Sequence, residues 1–215
     1  MKSGRIALCA VLAFALLAVA MLAAACGRQT TTTLSGATAD ATEAALGGGA
    51  LTYTDSTSGY TFHYPAAWQV DPGTTAGASA GATATSSMGV YDPNGASATD
   101  GYIDLMLVST YKLKVTVTDT VLAGLEGEIQ TVVDSLTGQL ADSQTVAPLA
   151  QTEAARMKGY TLTFTATKDG VPITSTLYFL FKGDVEYQLT IQASTADWEK
   201  DKAIFAAMIA SFTAP

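Results

Sequence analysis

The rhythm of apolar and polar positions changes sharply along this chain, and each change predicts an element. Residues 6–25 form an unbroken apolar run. Residues 27–50 are rich in Thr, Ala and Gly and poor in apolar residues other than alanine, so they read as a flexible tether. Alternation begins with Tyr60-Thr61-Phe62-His63-Tyr64, a strand ended by Pro65, and Trp68-Gln69-Val70 follows as a second short strand. Residues 72–87 are built from Gly, Ala, Ser and Thr after Pro72 and read as a long mobile loop inside the domain. Residues 88–91 predict a strand closed by the turn Asp92-Pro93-Asn94-Gly95. Residues 102–109 predict another, with Ile103, Leu105 and Leu107 on one face, and residues 111–117 a strand or extended connection.

From residue 119 to 140 the period becomes helical. Val121, Leu122, Leu125, Ile129, Val132, Val133, Leu136 and Leu140 form one stripe, and Thr118 or Asp119 can cap its start. Gly124 and Gly127 each weaken this helix by up to about 1 kcal/mol relative to alanine, so packing must offset them. A meander of three strands follows. Tyr160, Leu162, Phe164 and Ala166 alternate with threonines, Lys168-Asp169-Gly170 turns the chain into residues 171–181, and Lys182-Gly183-Asp184 turns it again into Val185, Tyr187, Leu189 and Ile191. The last element is a helix capped by Ser194 or Thr195, with Trp198, Phe205, Met208, Ile209 and Phe212 as its apolar positions. No internal repeat is visible. The order predicts an α+β fold, a mainly antiparallel sheet with helices packed on it. It divides the chain into a leader (1–25), a tether (26–50) and one globular domain (51–215).

The leader carries Lys2 and Arg5 before its apolar run, the layout of a signal peptide. The run of about 20 residues also suffices to span a bilayer as a plain anchor helix. Leu22-Ala23-Ala24-Ala25-Cys26 resembles the lipobox of bacterial lipoproteins, in which the cysteine receives a diacylglyceryl group before cleavage. The pattern departs from it at one place, with Ala23 where leucine is usual and Leu22 one step further out. The resemblance implies a lipidated Cys26 on the extracytoplasmic face of the cell membrane. An uncleaved anchor and a free secreted form remain as other readings. Two acyl chains give stable anchoring where one is marginal, and a tether of about 24 residues spans roughly 25–30 Å root-mean-square.

Composition narrows the possibilities further. The 215 residues carry a formal charge of -8, and losing Lys2 and Arg5 with the leader takes it to -10, so a nucleic-acid footprint is absent. The only cysteines are Cys9, inside the leader, and Cys26. The domain therefore has neither a disulfide nor a cysteine nucleophile, and its core must hold it together unaided.

The two ends of the domain resemble PsbP-like domains. Gly59-Tyr60-Thr61-Phe62-His63-Tyr64-Pro65-Ala66-Ala67-Trp68 is similar to their opening, a glycine-aromatic strand followed by Pro, two residues and Trp. Phe205-Ala206-Ala207-Met208-Ile209-Ala210-Ser211-Phe212 is similar to their final helix, which ends in Ser-Phe. The resemblance implies an antiparallel sheet sandwiched between helices, and a protein that works by binding other proteins rather than by catalysis. It brings no functional motif to transfer residue by residue.

Candidate sites are few. His63 is the only histidine, with no second histidine or free cysteine to join it at a metal, and it points opposite to Phe62 and Tyr64. The turn at Asp92 with Asp100 nearby lacks the glycine position and the glutamate of a calcium loop. Glu126, Glu128 and Asp134 read as a solvated helix face, and Trp68, Trp198 and Tyr178 as core aromatics. No phosphate loop, dinucleotide fingerprint or metal-binding spacing is present, so no cofactor is expected. The most informative feature is polar. Thr161, Thr163, Thr165, Thr174, Thr176, Gln188, Thr190 and Gln192 are expected to share one side of the meander, either as a wet sheet face or as a surface that meets a partner. Together these features describe a monomeric, membrane-anchored accessory module that binds an envelope protein. The alternatives are a carrier or sensor of an apolar small molecule or lipid, and a hydrolase built on His63.

Overall fold

The computed structural model describes residues 37–71, 84–99 and 101–215. The leader, Cys26, residues 27–36 of the tether, residues 72–83 of the expected loop and Asp100 lie outside the described residues. In chain order the elements are α1 (Ala37–Ala45), β1 (Leu51–Thr54), β2 (Thr61–Tyr64), β3 (Gln69–Asp71), β4 (Ala84–Tyr91), β5 (Ser97–Ala98), β6 (Gly101–Tyr102), β7 (Leu105–Lys112), α2 (Asp119–Leu122), α3 (Glu126–Thr137), β8 (Ala141–Ala154), β9 (Met157–Lys168), β10 (Val171–Lys182), β11 (Val185–Ser194) and α4 (Trp198–Ser211). Seven strands form one antiparallel sheet in the order β3-β4-β7-β11-β10-β9-β8, while β1-β2 and β5-β6 are separate hairpins.

The sheet is covered on opposite faces at its two ends. On one face α4 and the β1-β2 hairpin pack over the β4-β7-β11-β10 region, burying Met88, Val90, Met106, Val108, Leu189 and Ile191 against Phe205, Met208 and Phe212. On the other face α2 and α3 pack over β9 and β10, burying Leu162, Phe164, Leu177 and Phe179 against Leu122, Leu125, Ile129 and Val133. β10 lies under both layers, and its burial shows it: Ile173 through Leu177 are all buried in an unbroken run.

The first core closes on the chain ends. Thr61 and Thr213 exchange backbone bonds of 2.9 and 2.8 Å. Phe212 stacks on Tyr60 at 5.2 Å and on Phe62 at 6.1 Å, and Trp68 meets Phe205 edge-on at 5.7 Å.

Five local departures from the sequence pattern have physical causes. Residues 37–45, expected in the tether, form α1. Its alanine-rich sequence favours helix, the glycines that follow take φ values of +83, +74 and +69°, and Leu46, 3% exposed, enters the first core. Residues 84–87, expected in the loop, are strand: Ser86 is buried, its hydroxyl bonded to Thr110 Oγ1 at 3.0 Å and Ser58 Oγ at 3.1 Å. The strand expected from residue 102 begins at Leu105, and among the described residues the face that carries Leu105 and Leu107 is left uncovered at β7. Met106 and Val108 point into the core while Leu107 is 41% exposed. A bend at Ile103-Asp104 precedes the strand, held by the buried Asp104 carboxylate, which accepts from Ala96 N–H (2.7 Å) and Ser194 N–H (2.8 Å).

The single helix expected over 119–140 is two, broken at Ala123-Gly124-Leu125. Thr118 caps the first through a 3.4 Å bond from Val121 N–H, and the buried stripe continues across the break. β8 is new. It is a 14-residue edge strand, mostly exposed, so no apolar alternation marks it. Its turn to β9 is Ala155-Arg156, with φ of +52 and +60°, a left-handed pair without the Gly, Asn or Asp that usually signals one.

Phe212→Ala is expected to cost about 3–5 kcal/mol of stability. Arg156→Gly, exposed and left-handed, is expected to add about 1 kcal/mol. Urea unfolding of both variants checks the pair, and a loss at Arg156→Gly would overturn the assignment of a strained turn.

Candidate functional site

Hairpin register decides which side chains share a face, because opposed residues in an antiparallel ladder point the same way. Thr165 pairs with Thr174, Thr163 with Thr176, and Thr161 with Tyr178. Across the next ladder Thr174 pairs with Ala193, Thr176 with Ile191, and Tyr178 with Leu189. The threonines of β9 and β10 thus lie on the α4 side. Gln188, Thr190 and Gln192 pair with Phe179, Leu177 and Ser175 and lie on the α3 side. The expected single polar face is two, because Gly183-Asp184 closes its hairpin between the paired residues Lys182 and Val185, which fixes the parity of β11.

Burial divides the set again. Thr174, Thr176 and Gln192 are buried, whereas Thr161, Thr163, Thr165, Gln188 and Thr190 are half-buried. Gln192 is tied at both ends, accepting from Ser175 Oγ at 3.2 Å and donating to Ile103 C=O at 3.0 Å. Thr163 Oγ1 and Thr176 Oγ1 are 2.8 Å apart, and Thr174 Oγ1 reaches Thr195 Oγ1 at 3.2 Å.

Among the described residues each helix layer therefore leaves half a sheet face open. On the α4 side the open half is Thr161, Thr163 and Thr165 with Ala147 and Ala150 of the outer strand β8; Val146, 62% exposed, sits in the register shift beside Ala147. On the α3 side it is the β3-β4-β7-β11 region, where Asp71, Gly89, Leu107 and Thr190 form one row. Gln69, Tyr91 and Leu105 form the next, and Ser87, Ser109 and Gln188 a third. Tyr102 from β6 lays its ring on Tyr91 at 3.6 Å and 14°.

At the foot of that second half-face stands Glu186, which the sequence reading did not single out. It is buried beside its ladder partner Tyr111, and Gln188 Nε2 donates to its Oε1 at 2.8 Å. Burial pushes its carboxyl up to about 7, and the Gln188 bond offsets only part of that. Three buried aspartates, Asp55, Asp104 and Asp201, were missed as well. Asp104 holds the bend described above, and Asp201 of α4 has no hydrogen-bond donor, with Lys200 Nζ at 3.6 Å. Burial raises the Asp201 carboxyl. The period-2 pattern places Glu186 on the Gln188 face, but the covering that buries it is tertiary and has no signal in the strand itself.

The other candidates fall in structural places. His63 lies in β2 with Nδ1 3.0 Å from Thr52 Oγ1, its backbone N–H donates to Ser211 Oγ at 2.9 Å, and burial lowers its pKa. Asp92 closes its own turn, its Oδ1 accepting from Asn94 N–H at 2.9 Å. Glu126 and Glu128 occupy the first turn of α3, where its dipole favours them. Asp134 accepts from Gln130 Nε2 at 2.7 Å. Trp68 and Trp198 both pack on Phe205, and Tyr178 is half-buried at the edge of the same core. Among the described residues no helix is long and apolar enough to cross a membrane, and no group of three His, Cys, Asp or Glu side chains is placed to hold a metal ion.

The PsbP family model matches residues 48–214. The solution structure of cyanobacterial PsbP from Synechocystis sp. PCC 6803 is similar, with 15% identity over 76% of this chain and 91% of that one and a TM-score of 0.52. A structure from Bacteroides thetaiotaomicron VPI-5482 shares 11% identity over 76% of this chain and 48% of that one, at a TM-score of 0.47. LpqN of Mycobacterium tuberculosis, described as involved in cell envelope biogenesis, shares 14% over 75% and 87%, at 0.45. No curated protein matches the chain.

Glu186 gives the domain a pH dependence of known sign. Its folded pKa lies above its ordinary value of 4.5, so folding favours the protonated form. Stability is therefore full below about pH 4.5 and falls as pH rises through about 7. At pH 8 the loss is about 3 kcal/mol. Glu186→Gln is expected to flatten that decline in urea unfolding at pH 5 and pH 8. An unchanged slope would remove Glu186 as its source.

Proposed function

The chain belongs to the PsbP family, and from that premise we propose that it is an extracytoplasmic lipoprotein, anchored through a diacylated Cys26, that acts as an accessory module by binding an envelope protein rather than by catalysis. The basic start, the apolar run and the cysteine at its end support the anchor. The binding reading is carried by the open half-face on the α4 side. There a half-buried threonine ladder continues into β8, a strand without a charged residue from Ser143 through Thr152. Natural edge strands are usually blunted by lysine or by short length. β8 keeps only Pro148 and its register shifts, and it presents backbone donors and acceptors along the rim of the sheet.

A partner that adds an extended segment there gains main-chain hydrogen bonds from β8 and side-chain contacts from Val146 and the threonines. The anchor sets the geometry of the encounter, since a tethered domain meets membrane-proximal proteins at raised effective concentration.

Two measurements test this. Expressed in a bacterium that processes lipoproteins, the chain is expected to incorporate labelled fatty acid and partition into detergent, and Cys26→Ala is expected to abolish both. A photo-crosslinking residue at Val146 is expected to give one discrete protein adduct, and the same residue at Lys202 of α4 none. Equal labelling from both positions, or from neither, would overturn the binding surface. Retention of label in Cys26→Ala would overturn the anchor.

A further inference from the structure

The second open half-face, on the α3 side, differs in chemistry from the first. It spans four strands, and among the residues whose side chains form it the charge-bearing groups are the exposed Asp71 and, buried at its foot, Glu186. On a chain of net charge -8 it offers no Lys or Arg. That absence excludes phosphate, anionic headgroups and acidic peptides, which need cations to replace their counterions. An acyl chain needs a continuous apolar channel, and here the exposed apolar groups are Leu107, at 41%, and Tyr102, at 39%.

The half-face has two features that a neutral polyhydroxylated chain uses. The first is an aromatic plate. Tyr102 is stacked on Tyr91 through one ring face, which fixes its plane, and Leu107 leans over Gly89, where a Cβ would lie 3.0 Å from Leu107 Cδ2. The C–H face of a pyranose packs on such a plate. The second is a set of amides held at one end. Tyr91 Oη donates to Gln69 Oε1 at 2.9 Å, so the Gln69 NH₂ remains as a donor. Gln188 Nε2 donates to Glu186 Oε1 at 2.8 Å, so Gln188 Oε1 remains as an acceptor. Ser87 and Ser109 hydroxyls continue the row of Gln188, 3.2 Å apart, and each can donate or accept. Sugar hydroxyls are donors and acceptors at once, so fixed donors and acceptors in rows around a ring match them and lose little side-chain entropy on binding.

We propose that the half-face formed by β3, β4, β7 and β11 binds a neutral glycan chain, stacked on Tyr102 and hydrogen-bonded by Gln69 and Gln188. This site is separate from the protein-binding surface on β8 and does not depend on it.

The test uses the full chain in mild detergent, run in native gels containing a neutral glucan, mannan or galactan, with an anionic polysaccharide as control. Retardation is expected in at least one neutral gel and not in the anionic one. Tyr102→Ala and Gln188→Ala are each expected to weaken it about tenfold with far-UV circular dichroism unchanged, and Thr163→Ala on the opposite face is expected to leave it intact. Hydrogen exchange with the retarding glycan is expected to protect β4 and β7. Absence of retardation in every neutral gel, or retardation indifferent to both Tyr102→Ala and Gln188→Ala, would overturn the site. A protein partner that protects β4 and β7 from exchange would assign the half-face to that protein instead. Crosslinking at Val146 reads the other surface independently.

Discussion

Phe212 lies nearly parallel to Tyr60 and Phe62, and much of the architecture depends on that contact. The ring stands at the C-cap of α4, and of its two partners Tyr60 directly precedes β2 and Phe62 lies in it, more than 140 residues earlier in the chain. The contact joins the small β1-β2 hairpin to the last helix, and together they form the lid over one face of the large sheet. Tyr187 meets both Tyr60 and Phe212 edge-on, at 6.3 and 5.8 Å, which carries the same cluster into the centre of β11. The paired backbone bonds of Thr61 and Thr213 hold the lid at the correct height, since a shift of one residue would turn Phe62 outward.

Both segments that carried the family resemblance in the sequence sit in this cluster. The opening motif supplies Tyr60, Phe62 and Trp68, and the closing motif supplies Phe205 and Phe212, which face them. Short motifs far apart in sequence were legible because each is half of one packing solution. The meander β9-β10-β11 was legible for a different reason, as its turns Asp169-Gly170 and Gly183-Asp184 contain the residues that left-handed backbone favours. β8 was not legible, because Ala155-Arg156 takes the same conformation without those residues. The polar surface was half legible. Its members read correctly as polar, but assigning them to one face ignored the parity that the short turn at Gly183 imposes. The exposure of Leu107 could not be read from the strand pattern. It follows from the reach of the α2-α3 layer, which covers β9 and β10 and stops short of β7, and that reach is set by residues far along the chain.

Polar groups inside this fold serve as joints. Asp104 links the β5-β6 ribbon to the end of β11. The hydroxyls of Ser58, Ser86 and Thr110 form a closed set at 2.8 to 3.1 Å between the β1-β2 hairpin and the edge of the sheet. Such joints contribute modest stability when satisfied and cost far more when one partner is lost. They specify where the two lids attach, while the apolar clusters supply most of the attraction. The cores on opposite faces then leave one half of each face open, and the two open halves look away from each other.

The strand order has a consequence for the sequence of events in folding. β8 to β11 are neighbours in sequence, so their pairing closes only short loops, whereas β7 pairs with β11 and Thr61 pairs with Thr213 across long stretches of intervening chain. Non-local pairings form late because the loop entropy is spent before any contact repays it. The β3-β4-β7 ribbon pairs within itself, but it has no β11 to join and no α4 to cover it until the final third of the chain is present. A chain that emerges N-terminus first therefore completes its native fold only once the last helix is available to pack.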